Sequence, residues 1–166
     1  MMGRITESIA DVKKYWKGML DEGATSFWEE YDPDMKGNEH YAMYGDPYAK
    51  SLCHAWGAGP LYLFGRYLLG VKPASVGYES FIAEPQLCGL EYISGSVPAN
   101  KGRVEIKMDS NNVNICAYKT SGKLIIKSAV IPTGDNICIK KLPGDKYSID
   151  IEAGIEYNIG YSTGRE

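Results

Sequence analysis

Apolar positions along the chain keep one period in its first third and another in the rest. Between residues 5 and 20, Ile5, Ile9, Val12, Tyr15, Trp16, Met19 and Leu20 recur at the three-and-four spacing of an amphipathic helix. Thr6 or Ser8 offers an N-cap for it and Gly23 a stop. A second helix is expected over residues 51–67, irregular at Gly57-Ala-Gly-Pro60, because Pro60 lacks the donor that a regular helix needs. The polar stretch 31–48 between them, rich in Asp, Gly, Tyr and Pro, reads as a long loop, and loops of that length are often functional.

After Val71 the period falls to two. Short strands are predicted over 78–83, 90–96, 103–108, 113–118, 123–128, 136–141, 146–151 and 155–161. The turns predicted between them use Asn111-Asn112, Ser121-Gly122, Thr133-Gly134-Asp135, Pro143-Gly144-Asp145 and Ala153-Gly154. Alternation in Arg103-Val-Glu-Ile-Lys-Met and Lys146-Tyr-Ser-Ile-Asp-Ile gives each strand one buried and one wet face. The expected class is α+β by content: an N-terminal helical hairpin, then an antiparallel β-sandwich. Two helices make a poor domain by themselves, so they either pack on the sheet or are the last hairpin of a larger helical barrel. The all-round apolar character of residues 56–69 favours a helix meant to be surrounded.

Composition narrows the partners. At 166 residues the chain can bury one good core, with little room for a second. A net charge of −3 with 23% charged residues leaves no electrostatic footprint for nucleic acid or an anionic membrane. No stretch approaches the ~20 apolar residues of a membrane span. Arg4, Glu7 and Asp11 interrupt residues 1–11 where a signal peptide would be apolar. Cys53, Cys88, Cys116 and Cys138 have no CxxC or CxxH spacing, which argues for free thiols and against a zinc cluster. Thirteen tyrosines against three phenylalanines suit wet interfaces first and sugar faces second.

Candidate chemistry gathers in two motifs. Glu29 follows Phe27 and Trp28, an apolar setting of the kind that makes a carboxylate a general base, although a lone Glu beside Glu30 is more often just exposed. His54 could donate to a substrate hydroxyl or tune Glu29; bonding to a backbone carbonyl is its commoner role. Trp28 and Trp56 could stack on a sugar ring, though burial in a core explains each alone. Cys53 beside His54 lacks the third group that a thiol nucleophile needs. Asp32, Asp34, Glu39 and Asp46 miss the spacing of an EF-hand loop and read as a solvated acidic stretch.

In order, the motifs say more than they do singly. Tyr15-Trp16-Lys-Gly-Met-Leu-Asp-Glu-Gly-Ala-Thr-Ser-Phe-Trp-Glu29, Ser51-Leu-Cys-His-Ala-Trp-Gly-Ala-Gly-Pro60, Leu69-Gly-Val-Lys-Pro73 and Gly77-Tyr-Glu-Ser-Phe-Ile-Ala-Glu-Pro85 together resemble the C-terminal end of a bacterial α-L-rhamnosidase of glycoside hydrolase family 78. The resemblance covers most of residues 15–104; beyond Val104 only the strand pattern fits. It implies the end of an (α/α)6 catalytic barrel over residues 1–72 and a C-terminal antiparallel β-sandwich over 73–166. It also implies Glu29 as general base of an inverting hydrolysis, His54 as a contact in the rhamnose pocket, and Trp28 and Trp56 near that pocket. In the family the general acid lies upstream, outside the stretch that this chain resembles. The implied partner is a rhamnose-containing glycoside bound by a longer parent; neither cofactor nor metal is implied. Self-association through the barrel helices is expected where their apolar faces lack neighbours. The rival from another class is a carbohydrate-binding or structural β-sandwich with a helical appendage, and another (α/α)6 glycosidase or phosphorylase is a third reading. The compartment is open among periplasmic, secreted and cytoplasmic.

Overall fold

The computed structural model describes residues 2–164, with side chains from Ile5 onward. The chain forms two units, Met1–Tyr62 and Leu63–Glu166.

In the first unit, helix α1 spans Met2–Asp21. Ile5, Ile9, Val12, Trp16 and Met19 lie on its covered side, as the spacing predicts, whereas Leu20 is exposed. The helix already runs at Met2, so Thr6 and Ser8 sit within it instead of capping it. Its end is where the glycine signal puts it: Gly23 takes φ +89°, and the N–H groups of Gly23 and Ala24 close on the carbonyls of Leu20 and Met19.

The second helix departs from expectation. Residues 51–54 are not helical; regular turns begin with a 3-10 turn at Ala55–Ala58 and pass into helix α2, Gly59–Leu63. Pro60 occupies the first turn of α2, where its missing N–H costs nothing. Backbone pairing with residues 27–29, a long-range contact, holds residues 51–54 out of the helix, with His54 extended.

The second unit opens with a π-helical turn, Phe64–Leu68, and then, among the described residues, carries nine strands: β1 Val71–Pro73, β2 Ser80–Ala83, β3 Tyr92–Ala99, β4 Gly102–Asp109, β5 Asn112–Tyr118, β6 Ser121–Lys127, β7 Ile139–Leu142, β8 Lys146–Ile151 and β9 Glu156–Gly160. They form a five-stranded sheet in the order β1-β2-β6-β8-β7 and a four-stranded sheet in the order β3-β4-β5-β9. Every pairing is antiparallel except β2 with β6.

Register follows burial. Leu124 faces Ile149 and Ile126 faces Tyr147 across β6 and β8, while Ile106 faces Ile115 and Ile115 faces Tyr157 across β4, β5 and β9. All of these are buried, so each sheet turns one continuous apolar face inward and the two faces supply the core of this unit. A one-residue slip would expose the whole set, which makes the register strongly specified. Strand β8 breaks the alternation, burying Ser148 between Tyr147 and Ile149.

Two details correct the sequence reading. Strand β1, three residues ending in Pro73, was not predicted. Ser121-Gly122 is not a turn but the start of β6; the bend lies before it, with Lys119 at φ +58°. Gly122 is required for another reason: a Cβ there would fall against the carbonyl and ring of Phe81 on the parallel neighbour β2.

Candidate functional site

The candidate residues of the first unit meet through backbone pairing. Glu29 N–H donates to Ser51 O at 2.8 Å and His54 N–H donates to Phe27 O at 2.7 Å, so the Phe-Trp-Glu and Ser-Leu-Cys-His motifs run side by side. Ser26 Oγ closes the same pairing on Leu52 O. Two motifs some two dozen residues apart thereby become one local structure.

Within it, Glu29 Oε2 accepts a 3.3 Å bond from the backbone N–H of Ser51 and stands 3.7 Å from His54 Nδ1. The second distance is longer than a direct hydrogen bond. The Glu29 side chain is 12% exposed and that of His54 32%, so the carboxylate is largely shielded and the imidazole reaches solvent.

Trp56 completes the group. Its ring stacks on His54 with centroids 4.4 Å apart and an interplanar angle of 29°. Its Nε1–H donates to Glu29 O at 2.7 Å, which fixes the indole edge while the residue is 69% exposed. An anchored aromatic face beside a shielded carboxylate and an imidazole is a surface on which a sugar ring can stack while its hydroxyls find polar partners.

Trp28 has a different setting. Only 3% exposed, it packs against Tyr31, His40 and Tyr41 with centroids 5.8 to 6.4 Å away, and so backs the site from the interior. The 31–48 loop is ordered by its own carboxylates. Asp32 accepts from the N–H of Asp34, Glu39 from that of Lys36 and Asp46 from that of Tyr48. The two Asp bonds are of the Asx-turn kind, and the Glu39 bond caps the 3-10 turn Gly37–Tyr41. Cys53 is exposed beside His54, and its carbonyl accepts from Ser51 Oγ.

Sequence reasoning passed over two buried polar residues here. His40 is 1% exposed, lies flat on Tyr31 at 5.1 Å and 5°, and has Nε2 3.8 Å from Glu22 Oε1. Lys50, next to Ser51, is 5% exposed. Neither stands in a periodic apolar pattern, so no sequence signal separates them from solvated loop residues.

A helical unit in the Met1–Tyr62 part of the chain and two antiparallel-rich sheets in the Leu63–Glu166 part define an α+β protein with its polar candidate site in the helical unit. Among solved structures, this architecture is found in α-L-rhamnosidases. The Streptomyces avermitilis α-L-rhamnosidase complexed with L-rhamnose matches with a TM-score of 0.67 at 14% identity, over 89% of this chain and 15% of its own. The enzyme from Dictyoglumus thermophilum matches with a TM-score of 0.59 at 21% identity, over 87% and 17%. A GH78 family rhamnosidase of Bacillus sp. GL1 matches with a TM-score of 0.52 at 30% identity, over 64% and 11%. At their low identities the first two establish likeness of fold. The chain is thus structurally similar, over most of its length, to a part of GH78 α-L-rhamnosidases, and it spans only 11 to 17% of theirs. No family model and no curated protein matches it.

Proposed function

We propose that this chain is the C-terminal portion of an inverting glycoside hydrolase acting on terminal α-L-rhamnosides, with Glu29 as the general base. In this reading residues 1–72 close an (α/α)6 catalytic barrel and residues 73–166 form the trailing β-sandwich. The observation that carries the proposal is the convergence of Glu29, His54 and Trp56: a shielded carboxylate 3.7 Å from an imidazole that itself stacks on an exposed, anchored indole. The likeness to GH78 rhamnosidases supports the choice of substrate.

Glu29 takes a proton from the water that attacks the anomeric carbon. His54 donates to a sugar hydroxyl, Trp56 offers its face to the ring, and Trp28 holds the Glu29 segment from behind. Inversion needs a second carboxyl on the opposite face of the sugar, roughly 6.5 to 9.5 Å from the first, to protonate the leaving oxygen. That acid comes from a part of the enzyme outside this chain, so the 166-residue chain is expected to be inactive by itself.

The test is hydrolysis of an aryl α-L-rhamnoside by the longer enzyme that contains these residues. Glu29→Gln is expected to lower kcat by about a hundredfold or more, the usual worth of a general base, and the product of the unaltered enzyme to be the inverted anomer. Retained anomeric configuration, or full activity with Gln at position 29, overturns the proposal. Saturable rhamnoside binding that survives Glu29→Ala and His54→Ala but fails after changes on the sheets would point to a binding module instead.

A further inference from the structure

The geometry points to Trp16 as a positioning residue for the His54–Trp56 turn, acting through its indole N–H on the carbonyl of Gly57; its functional meaning rests on the reading of Glu29, His54 and Trp56 as a catalytic site. Trp16 lies on the covered side of α1 and is a helix-face residue by its spacing. Its Nε1–H donates to Gly57 O at 2.6 Å, across 41 positions of sequence.

Gly57 is the centre of the arrangement. Its N–H donates to His54 O at 3.1 Å, closing the turn that carries His54 and Trp56. His54 N–H in turn reaches Phe27 O, and the Trp56 indole reaches Glu29 O at 2.7 Å. The residue three positions after Gly57 is Pro60, which has no N–H and so cannot make the 3-10 bond to the Gly57 carbonyl. The carbonyl thus keeps room for the indole as an acceptor. The turn is also pressed onto its neighbour: Gly57 is buried, and a Cβ there would lie 2.5 Å from the Trp28 carbonyl and 3.1 Å from Phe27 Cβ.

These contacts form one chain, from Trp16 through Gly57 and His54 to the 27–29 segment. Pinned at Gly57, the turn has little freedom to slide along that segment, and sliding would separate His54 from Glu29 and tilt Trp56 off His54. Trp16 bonds to the Gly57 backbone and not to a side chain assigned to substrate or water. It holds the backbone that carries them.

The test compares the 166-residue chain with its variants and needs no substrate, so failure of the hydrolytic reading leaves it intact. The His54 ring protons carry a ring-current shift from the stacked Trp56, measured by NMR as the difference between the chain and Trp56→Leu. With Trp16→Phe, which keeps an apolar ring but removes the N–H, that difference is expected to fall by at least half while the amide signals of β3–β9 stay in place. An undiminished difference overturns the proposal and leaves Trp16 as ordinary packing. If Trp16→Phe unfolds the first unit, the decision passes to exchange of the Trp16 indole proton in the unaltered chain. Slowing by about tenfold or more over a free indole supports the bond, and exchange at the free rate overturns it.

Discussion

Single side chains in this molecule are decided by what their polar atoms meet. Asp109, exposed at the end of β4, accepts from the N–H groups of both Asn111 and Asn112, and these two bonds hold its carboxyl below the usual range. A carboxyl lowered by folding contributes stability above its unfolded pKa, and that contribution is lost as pH falls through its native value, so this hairpin is expected to loosen only in acid below about pH 4. Asp109→Ala should cost about 0.5–1 kcal/mol at neutral pH and less in acid; urea melts at pH 7 and pH 3 measure both. An equal penalty at the two pH values would contradict the assignment. The cysteines divide in the same manner. Burial pushes the Cys88 thiol up, whereas Cys53 and Cys138 are exposed. Since the thiolate is the nucleophile, Cys53 and Cys138 should be alkylated first by iodoacetamide and Cys88 clearly later, an order that mass spectrometry of timed samples can read.

Among the elements, those set by local periodicity were legible in the sequence and those set by distant contacts were not. All eight predicted strands form, because alternation of the type in Arg103-Val-Glu-Ile-Lys-Met states both the element and its buried face. Strand β1 escaped prediction, since three residues ending in proline carry no measurable period. Residues 51–54 were read as helix because their residue types permit one; what keeps them out of it is pairing with Phe27 and Glu29, which no local window contains. The candidate site follows the same division. Glu29, His54 and Trp56, singled out as candidates, lie together, while the bond of Trp16 to their turn was invisible because it spans 41 positions. Gly122 was recognised as special for the wrong reason. It was taken as a turn residue, yet it sits inside β6 where Phe81 leaves no room for a side chain. Gly122→Ala should therefore destabilise the five-stranded sheet by about 1–3 kcal/mol through overpacking. A Tm unchanged within error would show that Phe81 moves aside at no cost.

For the molecule as a whole, the surface of the first unit matters as much as its interior. Leu52, Trp56, Leu61 and Tyr62 all lie exposed within eleven residues of chain. So much neighbouring apolar surface is uncommon on a soluble monomer, and in the proposed parent it would be covered by the rest of the enzyme. The isolated chain is accordingly expected to associate with itself as concentration rises and to bind a hydrophobic dye; light scattering that reports a monodisperse monomer without dye binding would count against this. The parallel pairing of β2 with β6 bears on a different property, the order in which the Leu63–Glu166 unit comes together. Ser80 meets Ser121 only after the whole β3–β4–β5 meander between them has been laid aside into the other sheet. Closing so long a loop has an entropic cost that the local hairpins avoid, so the meander can form early and the β2–β6 seam only late. Pulse-labelled refolding should accordingly find the amides of β4 and β5 protected before those of β2, and a chain caught before that seam closes would present the unpaired edge of β6 to its neighbours.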